Sequence, residues 1–384
     1  MKKLEAIHIV SLDVPFPPDY GGMFDIFYKC KVFKSFGIRV ILHCFEYGRG
    51  TDHDYTGIAD EVHYYKRKKS VIDLFRKIPF IIATRRSEAL VQRLLQDDYP
   101  IFIEGDHCAA LLLDDRLKNR LFIQRIHNIE WKYYEALAES EPSLLKRWYL
   151  RMESRKLRAF EKNLQTADIL VCVSQTELKY WQAKHDNAHL WVVNCVFGSN
   201  EALPAPENFA LFQGNLSVAE NEKAVRWIVE QWKAQDIRMP LVIAGRNPRP
   251  ALQSLLAENT GIQTVYNPSI PEMDQLIRTA AINLLITFQT TGVKLKLVNA
   301  LFQGHRCIAN PQIVEGTSFE PFCEMISNGA ELREAVLRPG GSPEIPDRHE
   351  RLEFLRNYFD LTANMRPIIA LIEKEMNSGK KAIR

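Results

Sequence analysis

Lys294 and Lys296 stand at the start of a helical pattern that runs to Gly304, directly after Thr291, Gly292 and Val293. An apolar, strand-like run at 281–286 comes before them. A strand, a glycine turn and a helix opening with lysines make a place to hold an anion. The first N–H groups of a helix lack intrahelical partners and sit at the positive end of its dipole, and lysine adds full charge. Arg246, after Gly245 at the end of the apolar run 241–244, is a second cation on a glycine-bearing strand tip. Arg246, Lys294 and Lys296 together suit the phosphates of a nucleotide better than a neutral ligand. In the first half, His107 and His127 each follow an apolar run, at 101–103 and 121–126. A histidine at the C-terminal end of a parallel strand faces a ligand cleft. His127 is read as a site residue, and His107 either as one or as a helix cap. Gly21-Gly22 lets a ligand approach the backbone or simply makes a turn.

The elements that must carry these residues follow from the apolar pattern. Strand-like runs alternate with helical ones from Ala6 onward, and that alternation is the signature of βαβ units and parallel sheets. The chain has 384 residues with 46% hydrophobic content, enough for two domains rather than one core. A segment at 198–208, rich in proline and small polar residues, reads as the linker. The expected division is 1–200, 201–350, and a helical stretch at 351–384 that returns to the first domain. Two parallel-sheet domains would face each other across a cleft lined by strand C-terminal ends.

Net charge is +3, which gives no argument for nucleic acid. The seven cysteines are scattered with no CxxC and no metal-like spacing, which suits reduced thiols in a cytoplasmic protein. The N-terminus runs straight into a strand and does not read as an export signal. No apolar run approaches the roughly 20 residues that cross a bilayer. Between Lys66 and Arg86, basic residues interleave with Val71, Ile72, Leu74 and Phe75. That mixture suits an anionic membrane surface or a helix with a wet basic side. The pattern at 144–164 predicts a long helix, with Leu145, Trp148, Leu157 and Phe160 among its apolar residues and the charge as a solvated face.

Several motifs, in this order and at these separations, resemble the group 1 glycosyltransferases, the large retaining family 4 of GT-B fold. They are Gly21-Gly22, His127-Asn128 with Glu130, and Asp168 to Ser174. In the second half they are Gln213-Gly214-Asn215 through Asn221, Gly245-Arg246-Asn247-Pro248, and Gly292 through Lys296 to Ala300. The resemblance spans nearly the whole chain. It implies an α/β GT-B architecture of two Rossmann-like domains with the last helix packed back on the first. It implies transfer of a hexose-type sugar from a nucleotide-diphosphate sugar to a glycan or lipid-linked acceptor in cell-surface polysaccharide synthesis. Retention at the anomeric carbon, no metal and no other cofactor belong to the same reading. The cysteine pattern and the segment 66–86, read by themselves, suggest the cytoplasm or its membrane face as the place.

The resemblance places His127, Lys296 and Arg246 at the chemistry. It places Gly21, Gly22, Gly214, Asn215 and Gly245 near the donor. Thr291, Gly292, Val293, Lys294 and Asn299 join them there. Asp25, His107 and Glu130 are expected to contact the acceptor. The chain departs from the family at four places. Asn215 and Asn221 stand where an Arg and a Lys hold the diphosphate, Asn299 stands where a glutamate binds the ribose, and no acid occurs at 289–291. Those departures keep a second reading open, a non-catalytic GT-B subunit that partners an active transferase.

Overall fold

The computed structural model describes residues 2–18, 21–68, 70–192, 202–289 and 294–378. The chain divides into two compact units, one built from the described residues of 2–192 and 359–378, the other from those of 202–289 and 294–358. Each is an α/β unit around one sheet, and every described strand pair is parallel.

The first sheet holds β1 (Ala6–Ser11), β2 (Arg39–Glu46), β3 (Glu61–Lys66), β4 (Ile101–Glu104), β5 (Phe122–Ile126), β6 (Ile169–Cys172) and β7 (Ala188–Leu190), in the order β3-β2-β1-β4-β5-β6-β7. These strands form where the sequence runs apolar without alternation. Helices cover both faces of a parallel sheet, so neither face meets water. Alternate residues of one strand serve opposite cores. Val10, Ile103, Leu170 and Cys172 pack on one side, and Ile7, Ile9, Phe102, Ile123 and Val171 on the other.

The second sheet holds β8 (Glu207–Asn215), β9 (Leu241–Arg246), β10 (Ile262–Tyr266), β11 (Ala280–Leu285), β12 (Arg306–Ala309) and β13 (Glu324–Met325), in the order β10-β9-β8-β11-β12-β13. Each order reverses direction once, between β1 and β4 and between β8 and β11. Such a switch point, at the strands' C-terminal ends, is where an open α/β sheet leaves a crevice.

The helical stretch expected at 351–384 is two helices with different allegiances. Arg348–Tyr358 stays with the second unit, burying Leu352 and Leu355. Its Arg351 donates to the carbonyls of Gly304 (2.7 Å) and His305 (2.9 Å), so a cation caps the C-terminal end of the helix Leu295–Gln303. Leu361–Asn377 packs on the first unit. Its Met365, Ile368 and Ile372 share a core with Met23, Ile26 and Cys30 of the helix Gly21–Ser35. The side chain of Asn377 binds the backbone of Lys2 in both directions, at 2.8 and 3.0 Å. Among the described residues no helix is long and apolar enough to cross a membrane.

The helix expected at 144–164 is present as Leu144–Leu164, but its first turns do not carry a buried face. Leu157, Phe160 and Leu164 are buried, whereas Leu144, Leu145 and Trp148 lie in solvent.

Under the first sheet lies a chain of buried imidazoles. His8 Nε2 is 2.7 Å from Asp97, His8 Nδ1 is 2.9 Å from His43 Nε2, and His43 Nδ1 is 2.9 Å from the Tyr65 hydroxyl. Burial brings His8 down to about 4 despite its Asp97 partner. Burial, with His8 and His63 alongside, holds His43 well below the ordinary histidine value. Both groups bind a proton more readily in the unfolded chain, so they favour the native state above the unfolded value near 6.5 and oppose it as pH falls toward 4. From His8 alone, unfolding free energy should drop by about 2 kcal/mol between pH 7.5 and 5. Urea titrations at the two pH values check this, and an unchanged midpoint would refute it.

Candidate functional site

At the second switch point, the helix after β8 (Ala219–Ala234) and the helix after β11 (Leu295–Gln303) meet through polar side chains. Lys296, half-buried in the first turn of the latter, donates to Asn221 Oδ1 at 3.1 Å and to the Ile286 carbonyl at 3.2 Å. Its ammonium lies 4.7 Å from the Phe212 ring centre. Asn221 in turn donates to the Asn215 carbonyl at the tip of β8 (3.0 Å). Glu220 accepts from the Phe288 N–H (2.7 Å) and the Thr287 hydroxyl (3.2 Å), fixing the chain beyond β11. Burial brings the Lys296 ammonium down to about 7, neighbouring Lys294 adds to this, and Glu220 opposes it. The lysine is therefore held at the crevice as a cation short of negative charge.

The other donor-side residues are distributed around it. Lys294 is the residue from which the helix starts, and its carbonyl accepts from Leu297 (2.9 Å). Asn299 lies one turn beyond Lys294, and its Oδ1 accepts from Gln303 at 2.6 Å. Arg246 ends β9, exposed and in register with Asn215 on β8. Thr291, Gly292 and Val293 lie outside the described residues. Gly214 and Gly245 are paired across β8 and β9, and a Cβ on Gly245 would fall 1.9 Å from the Gly214 carbonyl oxygen. A Cβ on Gly214 would sit 3.1 Å from Asn221. The β8 backbone therefore demands glycine at 245, whereas a side chain at 214 would press on Asn221 and have to displace it.

In the first unit, Gly21 and Gly22 are the opening residues of the helix Gly21–Ser35. Asp25, expected at an acceptor, is instead 1% exposed and points into an ion network. Its carboxylate accepts from Arg125 through both oxygens (2.8 and 3.0 Å) and from Lys29 (3.1 Å). Lys29 also binds Glu104, and Glu104 lies 3.2 Å from His127 Nε2. Burial alone would raise the Asp25 carboxyl, but Arg125 and Lys29 hold it well below the usual carboxylate range. The Phe102 and Trp191 rings flank Lys29 at 4.4 and 5.1 Å. Asp25, Glu104 and His127 each offer a ligand atom within 4.8 Å of the others, the spacing of a metal site. Lys29, bound to both carboxylates, already supplies the positive charge there, and an ion would have to displace it.

His127 is the half-buried member that leads from this network toward the strand tips. Gly105 has a left-handed backbone (φ 68°), and a Cβ there would lie 3.3 Å from His127 and 3.4 Å from His107, so glycine lets the two imidazoles approach. Burial, then Arg85, keeps His107 well below the ordinary histidine value. Its Nδ1 has no hydrogen-bond partner among the described residues. Glu130 begins the helix after β5, and burial with Glu177 nearby pushes its carboxyl up to about 7. Asp106 is raised well above the carboxylate range by burial and by Glu130. Sequence reasoning passed over Glu104, Arg125, Lys29 and Asp106. A usable signal was there, since Glu104 and Arg125 are charges inside apolar strands, where a charge persists only when paired.

Residues 207–339 match the family described as glycosyl transferases group 1. The second unit is of that family. Over the whole chain the fold is GT-B. The structure of HepE from Anabaena, in complex with UDP and glucose, aligns at a TM-score of 0.65 with 11% identity, over 96% of this chain and 100% of that one. The α,α-trehalose-phosphate synthase (UDP-forming) from Burkholderia vietnamiensis aligns at 0.61 with 11% identity, over 98% of each chain. A 44.6 kDa protein of the cps region of Klebsiella pneumoniae is 22% identical over 326 residues, 78% of this chain and 81% of its own length.

Because Asp25 is part of a charge-balanced buried network, Asp25→Asn should destabilise the protein by roughly 3–5 kcal/mol by leaving Arg125 underpaired. Urea unfolding reads this. A variant of wild-type stability would return Asp25 to the list of acceptor contacts.

Proposed function

We propose that this chain is a retaining, metal-independent glycosyltransferase. It moves a hexose-type sugar from a nucleotide-diphosphate sugar to a glycan or lipid-linked acceptor. The observation that carries the reading is Lys296, a cation at the switch point of a group 1 unit, poorly balanced by negative charge. Departure of a nucleoside diphosphate builds negative charge on the leaving oxygen, and fixed cations in a poorly solvated crevice stabilise it most. Lys296 takes that role, with Lys294 and Arg246 supplying further charge. Asn299 serves the ribose, offering an amide in place of a carboxylate and hence a weaker hydrogen bond. His127, oriented by Glu104, is assigned to the transferred sugar or its acceptor. The cps-region relative supports polysaccharide synthesis as the setting.

A second reading, a non-catalytic subunit of the same fold, has one observation in its favour: Asn299 is already engaged by Gln303 where the family has a glutamate. Purified protein that binds nucleotide sugars yet releases no nucleotide with any acceptor would select it.

Lys296→Met tests the donor assignment, because it keeps the volume and removes the charge. UDP, GDP or their sugars should raise the melting temperature of the wild type by several degrees. They should leave Lys296→Met unmoved, while the unliganded variant melts no lower than the wild type. A retained ligand shift in the variant would sink the assignment. The pH dependence follows from the depressed ammonium. Above about 7 the free lysine is neutral and binding a diphosphate must recapture a proton, so affinity should fall by up to about tenfold per pH unit. Calorimetry from pH 6 to 9 reads that slope, which Lys296→Met should flatten.

A further inference from the structure

The first unit exposes two groups of large apolar side chains that its cores do not use. Val71, Ile72 and Phe75 stand on the short 3-10 helix Val71–Phe75. Leu144, Leu145 and Trp148 stand on the opening turns of the helix Leu144–Leu164. All six are between 66 and 84% exposed. The two groups are joined through the long helix. The Lys156 ammonium donates to the Leu74 carbonyl at 2.7 Å, and the Phe80 N–H donates to Glu153 at 2.6 Å, so the segment around Val71–Phe75 is tied to the middle of the long helix. Arg67 lies near enough to Tyr149 to influence it electrostatically. Leu145, Tyr149 and Lys156 fall on one stripe of a helix with 3.6 residues per turn. The 3-10 segment therefore covers one end of that stripe, Leu145 projects at the other, and Trp148 stands one i+3 step beside Leu145.

The rim is basic. Lys66, Lys68, Arg76 and Lys77 are exposed around the first group, and Lys146, Arg151 and Arg155 around the second. The acids beside them are spent locally, Asp73 on Arg76 (2.8 Å) and Glu153 on Lys156 (2.8 Å). Lys69 lies outside the described residues. Protein interfaces are depleted in lysine, whereas apolar side chains projecting through a lysine and arginine rim match the boundary of an anionic bilayer. We propose that this face of the first unit docks on an anionic membrane surface, with Phe75, Ile72, Leu145 and Trp148 entering the headgroup–acyl boundary and the basic rim lying on the headgroups. The surface is independent of the transferase assignment, since it involves none of the donor-side residues.

The test is sedimentation of the full chain with vesicles of phosphatidylcholine alone and of an equimolar mixture with phosphatidylglycerol. The wild type should bind the anionic vesicles, weaken at high salt, and leave the neutral ones largely unbound. The combination Ile72→Ser, Phe75→Ser, Leu145→Ser and Trp148→Ser should lower partitioning by at least about tenfold. It should do so with an unchanged melting temperature, because these side chains contribute nothing to a core. Lys66→Glu, Lys68→Glu, Lys146→Glu and Arg151→Glu should remove both the binding and its salt dependence. Should the serine variant fold poorly, quenching by brominated lipid supplies a second readout, strong in the wild type and reduced in Trp148→Phe. Equal partitioning of wild type and variants would overturn the proposal. So would a wild-type dimer that the serine variant breaks, which would assign the face to a second copy.

Discussion

A wholly parallel sheet is covered by helices on both faces, and that constraint governs where this molecule can do chemistry. Strand faces here are apolar and buried, so a polar side chain meets a solute only where strands end and helices begin. At the second switch point, Lys296, Asn221 and Glu220 are all first-turn residues of helices that leave β8 and β11. At the first sheet's C-terminal edge the same holds for Asp106 and Glu130. The placement follows from parallel topology, and the chemistry from the residue types set there.

Charge inside the first unit obeys a different rule. Asp25 and Glu104 are balanced by Lys29 and Arg125, two against two, with aromatic rings filling the remaining surroundings of Lys29. Burying ions is expensive, and their mutual attraction repays the expense only when geometry is good and the remaining donors find partners. Arg125 meets that condition through a two-oxygen grip on Asp25 and a 2.8 Å bond to the Trp191 carbonyl. Lys296 is the contrasting case. It has two neutral acceptors, another lysine beside it and a depressed proton affinity, so its charge is not matched as those of the buried network are.

Much of the architecture was legible in the chain. Continuous apolar runs at β1, β4, β8 and β11 marked buried parallel strands, and the alternation with helical patterns marked two α/β units. Lys296 was legible as a charged residue at the start of a helix after β11, which is where the structure has it. Asp25 was misjudged, because a carboxylate one turn into a helix looks the same in sequence whether it faces solvent or a buried arginine a hundred residues away. The sequence pattern did not show which apolar residues of the long helix are covered. Leu145 and Trp148 are as apolar as Leu157 and Phe160, yet the former pair lies in solvent and the latter is buried.

By itself the sequence determined the element types, the parallel class and the residues able to carry charge, since these depend on side-chain polarity and short-range period. Only the tertiary structure decided which charges are mutually satisfied and which are not. Pairing Asp25 with Arg125, Lys296 with Asn221, or the Leu74 carbonyl with Lys156 depends on contacts between distant segments, and no local pattern encodes those distances.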